Sequence, residues 1–202
     1  MKLYFSPGAC SLSPHIALRE AGLPVELVKV DLRAKTLSDG SDFRAVNPKG
    51  YVPAIQLPDG SLLTEGPAIV QYIADQAPQS GLAPAAGTLE RYRLQETLNY
   101  ISTELHKSFS PLFNPNAPEE WKAQVKTMLA ARFDLLSARL DGQSYLFGEQ
   151  FTVADGYLFT VLNWTRMVGI DLSAWPVLTA FQKRVASRPA VQEALAAEGL
   201  KG

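Results

Sequence analysis

The one cysteine of the chain, Cys10, lies in Ser6-Pro7-Gly8-Ala9-Cys10-Ser11-Leu12-Ser13-Pro14, where a short apolar run hands over to a helical pattern. A thiol at a helix N-terminus faces unpaired backbone N–H groups and the positive end of the helix dipole, both of which favour thiolate over thiol. Lone cysteines also serve as small apolar core residues. The flanks favour chemistry: Gly8 permits close backbone approach to a ligand, Ser11 offers a hydroxyl, and Pro14 fits the first turn of a helix. A second polar group comes from Asn99, Thr103 and His106, spaced i, i+4, i+7 and so on one helical face. At about 100° per residue that face lies roughly 120 to 160° from the stripe of Leu94, Leu98, Ile101 and Leu105. One side of the helix can pack while the other presents polar groups.

The remaining inventory excludes several classes of chemistry. With 47% hydrophobic and 19% charged residues, the 202-residue chain has the composition of an ordinary globular protein. Nineteen basic against twenty acidic residues give a net charge of -1 without a Lys/Arg run, so neither nucleic acid nor an anionic membrane is expected as a partner. One cysteine and two histidines, His15 and His106, make a poor set of metal ligands, and no metal is expected. His15 sits in an apolar context and reads as structural. No apolar run approaches a membrane span, and Met1 to Phe5 meets Ser6-Pro7-Gly8 too soon for a signal peptide, so the expected location is the cytoplasm.

These groups must be positioned by two halves of different periodicity. Up to Pro78, short β-like runs alternate with helical ones: Lys2 to Phe5, a helix over Ser11 to Ala21, Val25 to Val30, and a short turn near Ser41 to Val46. Ala54 to Leu57 and Ser61 to Thr64 flank the turn Pro58-Asp59-Gly60 and read as an antiparallel hairpin. A helix from Pro67 to Gln76 follows. Residues 79–87 are rich in Pro, Gly, Ala and Ser and read as a linker between a domain over 1–78 and one over 88–202. Beyond it the pattern is helical throughout: a long helix from Thr88, then Glu119 to Leu140, Val153 to Val168, Pro176 to Ser187 and Pro189 to Glu198. Phe151-Thr152-Val153-Ala154-Asp155 reads as a capped helix start with a purely structural role. The fold class expected is α/β plus all-α, a thioredoxin-like βαβ-ββα domain followed by an all-helical one.

The chain resembles the cytosolic glutathione S-transferases, and within them the bacterial beta class. The resemblance rests on Ser6-Pro7-Gly8-Ala9-Cys10-Ser11-Leu12, Asn47-Pro48-Lys49-Gly50-Tyr51-Val52-Pro53, Glu65, His106 and the capped motif at Phe151, and it covers essentially the whole chain. It implies a cis peptide at Pro53, so that the backbone of Val52 pairs with the peptide-like backbone of glutathione, as an added strand would. It implies that Glu65 and Gly66 hold the γ-glutamyl end, where a carboxylate meets an ammonium and N–H groups meet a carboxylate. Serine is usual in place of Gly66, so one side-chain hydrogen bond, worth about 0.5 to 1.5 kcal/mol, is expected to be missing. Lys35 is expected at the glycyl carboxylate, with Lys107 a weaker candidate beside the site. Cys10 and His106 are expected at the sulfur, and Asn99 and Thr103 along the cleft, Thr103 from the second subunit of a homodimer.

The activity implied is conjugation of the glutathione thiolate, as cosubstrate, to small hydrophobic electrophiles, a detoxification chemistry, with thiol-disulfide exchange through a Cys10–glutathione mixed disulfide as an accompaniment. Two alternatives remain open at this level: a glutathione-dependent disulfide reductase, and a non-catalytic module that binds ligands or proteins on the same fold.

Overall fold

The computed structural model describes residues 1–200; the last two residues of the expected helical domain, Lys201 and Gly202, lie outside the described residues. The opening half forms a five-stranded sheet in the order β3-β2-β1-β4-β5. β1 (Lys2–Phe5) pairs parallel with β2 (Glu26–Asp31), and α1 (Leu12–Glu20) makes the crossover between them. β4 (Ala54–Gln56) runs antiparallel to β1 and to β5 (Leu62–Thr64), as the Pro58-Asp59-Gly60 turn predicts. α2 (Gly66–Gln76) completes the βαβ-ββα unit. The sequence reading missed β3 (Thr36–Leu37), a two-residue strand paired antiparallel with β2 at the edge of the sheet. Two residues carry too little alternation to signal a strand.

Period-two alternation gives the sheet two faces. Leu3, Phe5 and Ile55 join the main core with α1 and α2, while Tyr4 and Ala54 face a smaller cluster with Val30, Phe43 and Val52. Phe43, in a 3₁₀ turn over Phe43–Ala45, packs against Tyr4 at 5.5 Å between ring centroids. Val52 is thereby held against the sheet by this second cluster.

The rest is helical: α3 (Leu89–Tyr100), α4 (Ser110–Phe113), α5 (Glu119–Leu140), α6 (Val153–Met167), α7 (Pro176–Ala186) and α8 (Pro189–Ala197). The main core runs without a break from Leu3, Ile16 and Ile69 to Leu94, Phe133, Leu158 and Phe181, so both halves bury their apolar faces together. α1 packs against α6 and α8 as well as α2. Charged pairs clamp the seam. Arg91 bonds both carboxylate oxygens of Asp75 at 2.8 and 2.7 Å, and Arg188 grips Glu20 at 2.6 and 2.8 Å while stacking on Phe151. The expected linker is stitched down as well: Leu82 is buried and its carbonyl accepts the Val153 N–H at 2.9 Å.

One local reading needs correction. The expected long helix from Thr88 changes pitch: after Tyr100 the chain forms a π-helical turn over Ile101–His106 and a 3₁₀ turn over Lys107–Phe109 before α4. A π turn carries more residues per revolution than the 100° rule assumes, so Asn99, Thr103 and His106 do not share one face. Asn99 and Thr103 are exposed, whereas His106 turns inward against α6. Gly8 has φ +70°, a conformation that favours glycine, and within the chain a Cβ there would meet only Leu200 at an ordinary 3.7 Å.

Candidate active site

Cys10 immediately precedes α1, with Ser11 as the N-cap residue. Its Sγ donates to the carbonyl of Val52 at 3.1 Å. The peptide between Val52 and Pro53 is cis, as the resemblance implies. Among the described residues the Val52 N–H has no hydrogen-bond acceptor, which leaves it available to an added strand. Around Cys10 the loop is fixed from several sides. Ser11 accepts the Ser6 N–H at 3.1 Å and donates back to the Ser6 carbonyl at 3.2 Å, so its hydroxyl braces the loop and offers nothing to a ligand. The Gly8 N–H donates to Glu198 at 2.9 Å, and the Gly8 carbonyl accepts from the Trp164 indole at 2.9 Å. Glu198 in turn pairs with fully buried His15 at 2.9 Å, so His15 is structural as expected.

The electrostatics of Cys10 run against the sequence expectation. The N–H groups of Cys10 and Ser11 do favour the thiolate, but burial outweighs them and pushes the thiol up to about 12, with a smaller upward push from Glu65. At neutral pH Cys10 is therefore a thiol that donates to Val52. His106 is shifted the other way. Burial, helped by the charge of Lys107, lowers it to about 4, so the ring is neutral at pH 7.

His106 Nδ1 lies 2.6 Å from the Tyr157 hydroxyl, and its ring meets the edge of Trp164 at 4.8 Å between centroids. Trp164 also packs edge-on against Phe109 and Phe113, the latter 44% exposed, so an aromatic wall opens from His106 towards solvent. Sequence reasoning missed Tyr157 and Trp164. Their i, i+7 spacing on α6 was the available signal, but nothing in it distinguished a cleft wall from core.

On the opposite side Glu65 caps α2. It adopts φ +70°, ψ 113°, and Lys35 has φ +60°; these are the two non-glycine residues with positive φ among the described residues. Each such conformation costs about 1 to 3 kcal/mol and is typical of ligand clamps. Lys35 Nζ donates to the Gly50 carbonyl at 2.8 Å and lies 5.1 Å from the Tyr51 ring centroid, which brings its charge beside the segment that leads into Val52. Glu65 pairs with Lys49 at 2.7 Å at a solvent-exposed position. The Gly66 N–H opens α2 and has no intrahelical partner, and Pro67 has no N–H. A Cβ at Gly66 would meet only Pro53 at 3.9 Å, which leaves room for a side chain.

Cys10 thus touches Val52, Pro53 is the group nearest a Cβ at Gly66, and Glu65 acts electrostatically on both Cys10 and His106, with Lys35 beside the segment that leads into Val52. Asn99 and Thr103 are not drawn in by hydrogen bonding: Thr103 donates to the Asn99 carbonyl on its own helix at 3.1 Å, and both remain exposed. Among the described residues no three His, Cys, Asp or Glu side chains gather as a metal site, and no helix is long and apolar enough to cross a membrane.

Comparison with known proteins agrees with this geometry. Residues 8–76 match the family Glutathione S-transferase, N-terminal domain, and residues 100–189 match Glutathione S-transferase, C-terminal domain. The chain is 51% identical over 201 residues to the glutathione S-transferase GstA of Escherichia coli O157:H7, with both chains covered in full. A ternary complex of BphK, a bacterial GST, superposes with a TM-score of 0.97 at 62% identity, covering 99% of this chain and 100% of that one. The bacterial beta-class glutathione S-transferase of Sphingomonas chungbukensis superposes with a TM-score of 0.96 at 51% identity, both chains covered in full.

Proposed function

The chain belongs to the glutathione S-transferase family, and we propose that it conjugates glutathione to small hydrophobic electrophiles at the site just described. The observation that carries this reading is the pair of strained, oppositely charged residues, Lys35 and Glu65, on either side of the Val52 strand edge that Cys10 touches. A tripeptide laid along Val52 pairs its backbone there by strand addition. Its glycyl carboxylate then meets Lys35, and its γ-glutamyl end meets Glu65 and the Gly66 N–H, which places the thiol between Cys10 and His106. The 1–78 unit is read as the glutathione-binding domain and 88–202 as the helical domain that supplies the aromatic wall for the electrophile.

Conjugation begins when bound glutathione loses its proton to solvent. Hydrogen-bond donors at Cys10 and His106 stabilise the thiolate, and partial stabilisation is optimal because basicity and nucleophilicity fall together. The sulfur attacks the electrophilic carbon, the S–C bond forms, and the leaving group departs with the bonding pair. Neutral His106 suits this role as a donor, and so does the Cys10 thiol once its single proton turns from the Val52 carbonyl to the sulfur. A nitro-activated aryl chloride and glutathione should therefore turn over with the purified protein. Absence of turnover together with failure to bind immobilised glutathione would assign the fold to a binding module instead.

A second reading, disulfide exchange through Cys10, is supported by the closeness of its Sγ to the Val52 edge. Cys10 gives up its proton to solvent, its thiolate attacks glutathione disulfide, the Cys10–S bond forms, the S–S bond breaks, and one glutathione thiolate leaves and takes up a proton. The intact mass of freshly purified, unreduced protein tests it: a glutathionyl adduct that reductant removes supports the exchange, and unmodified protein after incubation with glutathione disulfide contradicts it.

The protein is further proposed to be a cytoplasmic detoxification enzyme that works as a homodimer. Exposed apolar side chains support the dimer: Leu89 and Tyr92 on α3, and Trp121, Met128 and Leu135 at heptad spacing on α5. Thr103, exposed in the single chain, would then line the partner's cleft. Light scattering should give twice the chain mass.

A further inference from the structure

We infer that Tyr157 is a positioning residue: its hydroxyl, bonded to His106 Nδ1, fixes the imidazole with its proton on Nε2, so that His106 meets the glutathione sulfur as a hydrogen-bond donor. The inference deepens the conjugation reading and rests on it for the position of the sulfur.

The geometry comes first. Tyr157 is 3% exposed, and the His106 Nδ1 to Tyr157 Oη separation is 2.6 Å. The imidazole is held between two rings of α6, the Tyr157 ring at 5.9 Å and 81° and the Trp164 ring at 4.8 Å and 73°. The π turn over Ile101–His106 is what swings the ring onto α6. The charged and titratable groups that face the imidazole are Glu65 from the junction before α2, Lys107 from its own segment and Tyr157 from α6, and Cys10, from the loop before α1, acts on the Tyr157 phenol bonded to the ring. Among the described residues Nε2 has no hydrogen-bond partner.

Proton bookkeeping then selects a tautomer. Burial pushes Tyr157 above the ordinary phenol range, so its oxygen keeps its proton and that proton needs an acceptor. A neutral imidazole has one acceptor nitrogen and one donor nitrogen, and the bond made by one fixes the state of the other. With Tyr157 donating to Nδ1, the proton of His106 sits on Nε2. The reverse arrangement, Nδ1–H donating to Tyr157, leaves the buried phenol proton without an acceptor among the described residues and turns the Nε2 lone pair towards a thiolate, where two acceptors oppose each other.

Tyr157→Phe keeps the ring and removes the hydroxyl. Long-range ¹⁵N–¹H NMR of histidine-labelled wild-type protein at pH 7 should show His106 neutral with its proton on Nε2, and Tyr157→Phe should show mixed tautomers. Ultraviolet titration of the bound glutathione thiolate should show its pKa raised by about one unit in Tyr157→Phe, so that kcat/KM falls about tenfold at acidic pH and converges with wild type at alkaline pH. A uniform loss across pH would indicate a merely structural role and overturn the inference. A wild-type His106 with its proton on Nδ1 overturns it whatever the kinetics. If the Nε2–H tautomer is intact but neither Tyr157→Phe nor His106→Ala moves the thiol pKa, the failure lies in the assignment of the sulfur to this corner.

Discussion

At the scale of single residues, the chemistry depends on environments that residue type alone does not fix. Cys10 has the N-terminal position that lowers a thiol pKa, yet burial prevails and holds it near 12. Alkylation of free Cys10 by iodoacetamide should accordingly be slow at pH 7 to 8 and should keep accelerating above about pH 10, where an ordinary thiol has levelled off; a plateau by about pH 10 would contradict the burial effect. The sign follows from the thiolate being the reactive form. Gly66 offers a gain. The space beyond its Cα admits a side chain, so Gly66→Ser should supply the missing hydrogen bond and lower the KM for glutathione by about two- to tenfold, equivalent to about 0.5 to 1.5 kcal/mol. Steady-state kinetics at saturating electrophile will read it. Cys10, Glu65 and His106 were legible because their types and neighbours are distinctive. Tyr157 and Trp164 were not, because an aromatic on a buried helix looks the same whether it fills core or lines a cleft.

At the scale of elements, α6 carries the aromatic wall, and its start is fixed by a buried carboxylate. Asp155 accepts from the N–H and hydroxyl of Thr152 and from the N–H of Leu146, all at 2.8 Å. Asp155→Ala leaves these donors buried without a partner and should cost about 2 to 5 kcal/mol of stability, seen as a lower denaturant midpoint, while Asp155→Asn should cost less. Equal midpoints for Asp155→Ala and wild type would refute this. The capping motif was readable because a box has fixed spacing, and helix ends such as Glu119 and Leu140 matched because period and caps agree. The π turn at Ile101–His106 left no such mark. Its residues suit an ordinary helix, and the turn packs against both α5 and α6. The two-residue β3 was beyond any periodicity for the same reason: pairing with β2 creates it.

At the scale of the whole molecule, the site exists because two halves of different period share one core. To the proposed site the sheet half would contribute the strand edge at Val52 and the strained residues Lys35 and Glu65, and the helical half His106 and its aromatic neighbours. Glu198, far along the chain, braces Gly8 and so the loop that carries Cys10. The sequence showed two units and a linker, but the continuity of the core across them is a property of packing that no local pattern encodes. The central claim is that glutathione supplies the nucleophile while Cys10 only donates to it. Turnover of a nitro-activated aryl chloride by Cys10→Ala tests this most directly: kcat within a few-fold of wild type is the expected result, and near-complete loss of activity in a folded, glutathione-binding variant would contradict the account.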